Sequence, residues 1–412
     1  MTSLTRRYDG SHRVVVTGMG AVSGFGVGTE RLWAGVASGG SAIGPVVRTF
    51  EGMSVTVPAA IAPYQPLDHF TSSELQICEP FVQLGRMAAR EALGQAGLAG
   101  DADALAGAGV ILGCGGGGEL TREETAIQLF HRRRPRAHPL TVPRTNHQAV
   151  VSHIAAEHGI QGPSFVISTG CASGSHAIAQ AVATVRHGYA ERALAGGVEY
   201  NAIYAVMRAF DAARTVARDT CRPFSAGRGG FAFGEGAGVL VIETMEAARR
   251  RGAAIHAEVA GIGLSTDVAD PVQPTVAGPV RALETALADA AVAPADIAYV
   301  NAHGTGTQLN DVVETHVVKL VFGDHARRLM MSSTKSQIGH CFGAAGALEL
   351  ITTILGMAAG VVPPTANYVA PDPDCDLDYV IEGARRQPFA TAVSESFAFG
   401  GLNAALVVRR DR

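Results

Sequence analysis

The stretch VISTGCASGSHA, residues 166–177, decides how this chain folds and where its chemistry lies. Its β-branched start predicts a strand, its glycine predicts a tight turn, and its small residues predict a helix that begins at or just after Cys171. A cysteine at that point meets free backbone N–H groups and the positive end of the helix dipole, which favour the thiolate. The turn alone leaves two interpretations open, a nucleophile and an inert buried thiol.

Apolar runs alternate with Ala-rich helical patterns along the chain, which predicts an α/β fold built in layers. The strand-like runs are residues 14–16, 110–112, 239–242, 298–300 and 405–408, and the clearest helical patterns are residues 86–96 and 280–290. Two internal sequence similarities, called echoes below, accompany this alternation of strands and helices. The helix, turn and strand of residues 91–113 resemble those of residues 284–302, and residues 168–174 resemble residues 333–340. These echoes suggest two similar halves that meet near residue 255.

Composition narrows the function classes. The 412 residues are 47% hydrophobic and 17% charged, so we expect part of the surface to be covered by another subunit. A net charge of −4 without a charged tail argues against nucleic-acid and membrane partners. The six cysteines form no C-x-x-C pair, which indicates neither a metal site nor a disulfide framework and favours the cytoplasm. The longest apolar run, near Leu350 to Val362, is predicted to be too short to span a membrane.

Two further polar segments follow predicted strands: NAHGTGT, residues 301–307, and STKSQIGHCFGAAGALE, residues 333–349. In the first, His303 stands among small residues that let a substrate approach, although a lone histidine there is also typical of a structural group. In the second, Lys335 and His340 lie five residues apart in a loop before a small-residue helix. The chain has only two lysines, which argues against a routine solubilising role for Lys335.

These three segments resemble the Cys, His and His motifs of the β-ketoacyl-acyl-carrier-protein synthases, including the ketosynthases of polyketide assembly. Their order and spacing agree, and the resemblance runs from about Arg13 to Val408, with VTGMG at 16–20, GEGAG at 234–238 and FAFGGLN at 397–403. It implies a thiolase-like five-layered αβαβα fold built from two duplicated halves. Residues 1–255 would form the half that carries the nucleophilic cysteine, and residues 256–412 the half that carries both histidines.

The resemblance also implies how the central residues work. Cys171 would accept an acyl group as a thioester, and the enolate released by decarboxylation of malonyl-carrier protein would attack it. His303 and His340 would hydrogen-bond the malonyl thioester oxygen. The backbone N–H groups of Cys171 and Phe399 would form the oxyanion hole for the tetrahedral intermediate.

Supporting roles follow from the same resemblance. Lys335 would set the electrostatics of the histidine pair with Glu349 as its partner, because a buried lysine without one would lose its charge. Thr305 and Thr307 would hydrogen-bond the pantetheine amides. A glycine-hinged gate beside the nucleophile is expected at Phe397, Gly400 and Gly401.

The sequence is least specific about contacts with the acyl chain and with partner proteins. Gly116 is either a flexible turn residue or a position that leaves room in the acyl tunnel. The basic run 131–136 is either a solvated face or, with Arg136 and Arg214, a docking site for an acidic carrier protein. The resemblance implies no metal and no bound cofactor, since phosphopantetheine arrives on the carrier. The second ketosynthase-fold subunit is either a copy of this chain or a chain-length-factor-like protein.

Several positions depart from the family pattern and keep alternatives open. Ser225 and Gly229 stand where relatives usually have aspartate, Glu79-Pro80-Phe81 replaces an Asp-Arg pair, and Ala398 replaces a gate glycine. These changes favour a specialised polyketide or related pathway over housekeeping fatty-acid elongation.

A non-catalytic chain-length-factor-like subunit would lack the cysteine, and a thiolase would carry a second catalytic cysteine. A dinucleotide-binding reductase would need a third glycine after Gly18-Met19-Gly20.

Overall fold

The computed structural model describes residue 7, residues 9–268 and residues 273–411, so the extreme ends of both predicted halves lie outside the described residues. The strands are β1 Val14–Ser23, β2 Gly26–Val27, β3 Gly44–Phe50, β4 Met53–Ala60, β5 Gly109–Cys114, β6 Ser164–Ile167, β7 Arg192–Glu199, β8 Phe233–Gly234, β9 Gly236–Thr244, β10 Ala257–Thr266, β11 Tyr299–Asn301, β12 Met330–Ser332, β13 Val361–Val362, β14 Arg385–Arg386, β15 Thr391–Ala398 and β16 Leu402–Arg409.

The α-helices are α1 Thr29–Ala37, α2 Pro66–His69, α3 Ser72–Leu75, α4 Pro80–Gln95, α5 Ala102–Ala106, α6 Glu119–Ala126, α7 Thr141–Thr145, α8 Ala149–His158, α9 Ser173–Arg186, α10 Tyr204–Ala212, α11 Met245–Arg250, α12 Ala277–Ala290, α13 Gln308–Phe322, α14 Lys335–Ile338 and α15 Ala345–Ala359. A π-helical turn covers Ile127–His131, and 3-10 turns cover Pro294–Asp296, Gly323–Arg327 and Phe342–Ala344.

The large sheet consists of two halves with the same topology. The strands of the N-terminal half lie in the order β6-β5-β7-β9-β1, and those of the C-terminal half in the order β12-β11-β15-β16-β10. In each half the first two pairings are parallel and the last two are antiparallel. The halves meet where β1 pairs briefly with β10. The duplication predicted from the internal echoes is therefore confirmed, whereas the boundary at residue 255 stays a prediction.

Helices cover both outer faces of the sheet halves and fill the space between them. α4 and α8 pack on the outside of the N-terminal half, and α12 and α13 pack on the outside of the C-terminal half. Between the halves lie α9 and α15, which are largely buried. Their many small residues let the two helices and the flanking strands approach closely. This is the predicted five-layered αβαβα arrangement.

Glycines in the first strand of each half allow the outer helices to approach. An added Cβ at Gly20 would lie 1.9 Å from the carbonyl oxygen of Ala88 in α4, and one at Gly263 would lie 1.9 Å from that of Ala282 in α12. Helix backbone therefore occupies the space beside Gly20. This leaves no room for a phosphate and argues against the dinucleotide-binding interpretation.

The apolar run at α15 is longer than the sequence-based prediction allowed. Within the described residues, Phe342–Ala359 is the one helical segment long and apolar enough to cross a membrane by length and composition. It reaches 18 residues because the 3-10 turn before α15 continues into the helix. Since 83% of the segment is buried inside the protein, it is typical of a core helix.

We predict that Gly20→Ala lowers the free energy of unfolding by about 1–3 kcal/mol, because the new methyl group would overlap the α4 backbone. Gly94→Ala is the matched control, since nothing lies within 4 Å of a Cβ there and alanine is the better helix former by roughly 1 kcal/mol. Urea titrations of both variants test this. Equal effects of the two substitutions would contradict the close packing of β1 on α4.

Candidate active site

Cys171 lies in a short loop between β6 and α9. Gly170 adopts a left-handed φ of 58°, which turns the chain sharply after the strand. The loop is closed by Ser173, whose Oγ accepts a hydrogen bond from the Thr169 N–H at 2.8 Å and donates one to the Gly170 carbonyl at 2.6 Å. Because α9 begins at Ser173, the cysteine precedes the first turn of a buried helix, as the sequence predicts.

Burial disfavours the thiolate form of Cys171. Burial raises its pKa to about 12, and the positive charge of Lys335 opposes this rise without cancelling it. The sequence favoured a thiolate because local features, the helix dipole and free N–H groups, were all that it showed. Desolvation opposes them, since the residue is only 8% exposed and lies among apolar side chains such as Phe231 and Met207.

One cavity of about 380 Å³ gathers most of the predicted site residues. Those on its walls are Cys171, Arg214, His303, Thr305, Thr307, His340, Phe397, Phe399, Gly400 and Gly401. The Thr305 and Thr307 hydroxyls are 2.9 Å apart. Phe399 is 51% exposed at the turn between β15 and β16, where Gly400 and Gly401 have φ of 87° and 69°. Only glycine adopts such angles readily, so this turn has the backbone expected of a hinge.

His303 follows β11, and a buried carboxylate fixes its backbone. The Glu314 carboxylate accepts hydrogen bonds from the N–H groups of His303 at 2.6 Å and Gly304 at 2.7 Å. Two bonds to adjacent amides hold the loop in one position. The imidazole therefore reaches the cavity from a rigid support.

The two imidazoles are neutral, and Nδ1 of each one faces a hydrogen-bond donor. Burial lowers the pKa of both His303 and His340 well below the usual value, and the nearby Lys335 ammonium lowers each pKa further. The ring centroids are 5.7 Å apart. Nδ1 of His303 faces the Lys335 Nζ at 3.4 Å, and Nδ1 of His340 accepts the Phe342 N–H at 3.3 Å. Since each Nδ1 faces a donor, the proton of each ring resides on Nε2.

Lys335 and Glu349 form a fully buried ion pair behind the histidines. Their Nζ and Oε1 atoms are 2.5 Å apart, and Nζ also donates to the His303 carbonyl at 2.5 Å. Burial raises the pKa of Glu349, and Lys335 offsets part of the rise. Lys335 therefore has three acceptors in reach, which compensate for its removal from water.

Besides Lys335 and Glu349, which lie behind the histidines, two more predicted residues do not line this cavity. Gly116 donates its N–H to Glu199 Oε1 at 2.9 Å and does not line the cavity wall. Arg136 lines a second, polar cavity together with Arg132, Arg134 and Arg144, whereas Arg214 lines the first. The two arginines thus line different cavities, and their shared role in docking stays a prediction.

Comparison with known proteins shows the family of this chain. Residues 11–248 match the family model for the β-ketoacyl synthase N-terminal domain, and residues 256–369 match that for the C-terminal domain. The chain belongs to the β-ketoacyl synthase family. It is therefore a condensing enzyme of the acyltransferase type, a β-ketoacyl-acyl-carrier-protein synthase.

Three relatives show which known synthases this chain resembles. It is 44% identical to nodulation protein E of Rhizobium sp. (strain N33), over 97% of this chain and 99% of that protein. It is 36% identical to 3-oxoacyl-[acyl-carrier-protein] synthase 2 of Staphylococcus aureus (strain COL), over 97% and 98%. The ishigamide ketosynthase/chain length factor structure superimposes with a TM-score of 0.92 at 34% identity, covering 98% of this chain and 100% of that chain. The fold of the synthase is thus thiolase-like.

Sequence reasoning missed several buried charged residues that support the site. Glu314 was missed although it lies on the helix that starts just after the HGTGT segment. Arg228, also buried, donates to the carbonyls of Thr307 and Gln308 at 3.1 Å and pairs with Asp372. The pairing with Asp372 comes from a loop distant in sequence, so no local pattern could reveal it.

We predict that Glu349→Leu in the synthase lowers the free energy of unfolding by about 3–5 kcal/mol, because it leaves the buried Lys335 ammonium without its counter-ion. The double variant Lys335→Met with Glu349→Leu is the control, and we expect it to recover most of this stability, since no buried charge remains unpaired. Urea unfolding measures both. A double variant as unstable as the single variant would contradict the ion-pair explanation.

Proposed function

We propose that the synthase joins an acyl group held on Cys171 to the enolate formed from malonyl-carrier protein, with loss of CO2. The observation that carries this proposal is the single cavity that holds one cysteine and two neutral imidazoles. A cysteine supplies the thioester, and two hydrogen-bond donors stabilise an enolate oxygen.

Loading comes first. The Cys171 sulfur attacks the acyl thioester of a carrier protein, and the carrier's pantetheine thiol leaves with the proton that Cys171 gives up. The backbone N–H groups of Cys171 and Phe399 hold the oxyanion of the tetrahedral intermediate. The Lys335 charge lowers the pKa of the thiol, which favours loss of its proton as the sulfur attacks.

Decarboxylation follows in the loaded enzyme. Malonyl-carrier protein places its thioester oxygen between the Nε2–H groups of His303 and His340, and Thr305 and Thr307 hydrogen-bond the pantetheine arm. As the carboxylate leaves as CO2, its bonding electrons form the enolate. Neutral imidazoles suit this step, because they donate hydrogen bonds without delivering a proton to the carbanion. The enolate carbon then attacks the Cys171 thioester, and the cysteine sulfur departs as the β-ketoacyl product forms on the carrier.

A specialised biosynthetic pathway, of the type II polyketide or a related kind, fits this chain better than housekeeping elongation. The chain shares 44% identity with a nodulation protein and 36% with a 3-oxoacyl-carrier-protein synthase. Of the two positions that depart from the usual family pattern, Gly229 lines the cavity, whereas Ser225 is fully buried and its carbonyl accepts a hydrogen bond from Arg228. Housekeeping elongation remains the alternative, and the presence of Cys171 speaks against a non-catalytic chain-length-factor-like role.

The proposed partners are an acyl carrier protein and a second ketosynthase-fold subunit. β6 is the edge strand of the N-terminal half, and its Phe165 is 38% exposed. An edge strand beside the cysteine loop offers a surface for a second subunit. The ishigamide protein is described as a ketosynthase with a chain length factor, so the second subunit here is either such a protein or a copy of this chain.

The proposed chemistry uses phosphopantetheine delivered by the carrier and involves no resident cofactor. The reaction is expected in the cytoplasm, where all six free cysteines would stay reduced. Neither nucleic acid nor membrane is a proposed partner.

The experiment that tests the function is intact-protein mass spectrometry of the synthase with a panel of acyl-carrier proteins, followed by malonyl-carrier protein. It is run with and without candidate partner subunits. An acyl adduct on Cys171 that disappears as β-ketoacyl-carrier protein forms supports the proposal. Absence of an adduct under every pairing would overturn it in favour of a non-catalytic subunit.

We predict that Cys171→Ala abolishes both loading and condensation, because no other group forms the thioester. His303→Ala is expected to slow malonyl decarboxylation by about 10²–10³-fold and to leave loading largely intact, since loading depends on the thiol and its oxyanion hole. The mass assay for loading and CO2 release for decarboxylation measure the two steps. Loss of loading in His303→Ala would reassign that histidine.

We also predict that Arg214 and Arg136 both contribute to carrier docking. Arg214→Glu and Arg136→Glu are each expected to raise KM for malonyl-carrier protein about 5–10-fold, with smaller effects at high salt. Malonyl-pantetheine, which lacks the protein, is the substrate control. Arg327→Glu, an exposed arginine that lines neither cavity, is the charge-matched control. If Arg136→Glu matches that control while Arg214→Glu does not, docking at the arginine cluster is excluded.

A further inference from the structure

Phe342 contacts His340 in two independent ways. Its backbone N–H lies 3.3 Å from Nδ1 of the imidazole, and its ring stacks on the imidazole at a centroid distance of 4.6 Å and an interplanar angle of 9°. Phe231 presents its ring edge-on to the same imidazole at 5.5 Å and 88°. His340 is therefore held between two aromatic rings.

The two Phe342 contacts determine different properties of His340. The amide contact keeps Nδ1 as an acceptor, which leaves the proton on Nε2. Nε2 has no hydrogen-bond partner among the described residues, although it is buried at the cavity. The stacked ring restricts rotation of the imidazole about χ2, which decides where that Nε2–H points.

The backbone of Phe342 is strained in this position. Its φ is +40°, a left-handed conformation that is unfavourable for a non-glycine residue. Neighbouring rings compensate by packing around it: Phe210 at 5.2 Å, Phe231 at 5.4 Å and Phe233 at 5.7 Å. Strain that the surroundings maintain beside a cavity often serves function.

A buried carboxylate fixes the same turn from its other side. Glu199 accepts the Gly343 N–H at 2.8 Å, and it also accepts the N–H groups of Gly115 at 3.0 Å and Gly116 at 2.9 Å. It thereby ties the turn that contains Phe342 to the glycine turn after β5. Glu199 lies at the end of β7 and is fully buried.

We propose that Phe342 is a positioning residue that sets both the tautomer and the direction of His340, and that Glu199 keeps Phe342 in place. The role rests on the proposed function, because it concerns the donor offered to the malonyl thioester oxygen. Phe342 acts through His340, so its loss affects decarboxylation more than loading.

The test compares Phe342→Leu, Phe342→Tyr and Phe210→Leu. Leucine at 342 removes the stacked ring and keeps the amide, whereas tyrosine keeps both. Phe210→Leu removes a ring from the same cluster that contacts Phe342 but makes no ring contact with His340. CO2 release is measured on enzyme loaded with an acetyl group, which limits contact between the acyl chain and the altered ring, and is divided by the loaded fraction found by mass spectrometry.

We expect Phe342→Leu to lower kcat for decarboxylation about 10–100-fold with little change in KM, because a misdirected donor weakens transition-state stabilisation. Tyrosine at 342 and leucine at 210 are expected to stay within about threefold of the wild type. Equal losses in Phe342→Leu and Phe210→Leu would reduce the effect to core packing and overturn the inference. So would an unchanged kcat in Phe342→Leu.

Glu199→Gln provides a second test at a distance from the imidazole. The amide nitrogen of glutamine cannot accept an N–H bond, so at least one glycine contact is lost. We expect a decrease in kcat in the same direction as in Phe342→Leu, and a Glu199→Gln/Phe342→Leu double variant that is less impaired than the two separate effects multiplied. Fully multiplicative effects would show that Glu199 does not act through Phe342. Wild-type enzyme that neither loads nor decarboxylates would instead refute the proposed function.

Discussion

The buried ammonium of Lys335 is the charge on which the geometry of the catalytic cavity depends. Bringing a lysine into the protein interior costs several kcal/mol unless its donors are satisfied, and here Glu349 and His303 supply the acceptors. Once held, the charge acts on three groups. It lowers the pKa of His303, of His340 and of the Cys171 thiol.

The duplicated fold explains how this charge reaches a cysteine from the other half of the chain. β6 and β12 occupy the same place in the two sheet halves, and each leads into a loop followed by a central-layer helix, α9 or α15. Because α9 and α15 pack together between the sheets, the loops before them converge. One copy of the loop carries the nucleophile, and the other carries Lys335 and His340. Duplication followed by divergence of the loops thus yields an asymmetric site from a symmetric framework.

The sequence, together with the family resemblance, predicted the layers, the duplication and ten of the residues on the cavity wall, because strand-to-helix loops with small residues are local features. Residues that act across long separations in sequence escaped prediction. Glu199 and Gly343 are an example, since a carboxylate at the end of β7 binds amides that sequence order places far away. Phe342 escaped for another reason. Its stacking on His340 depends on a left-handed backbone conformation, which no pattern of side chains in the sequence predicts.

The burial of Cys171 shows why local rules are incomplete at this site. A helix N-terminus stabilises a thiolate by a few tenths to about 1 kcal/mol at exposed positions, whereas each pKa unit of desolvation opposes it by about 1.4 kcal/mol. Burial therefore dominates, but the same burial serves the later steps. An apolar cavity excludes water from the acyl thioester and the enolate, both of which water would destroy, and it strengthens every hydrogen bond offered to developing charge. Burial thus opposes the thiolate and, with a smaller contribution from Lys335, lowers the pKa of both histidines, while the Lys335 charge lowers the pKa of Cys171 in part.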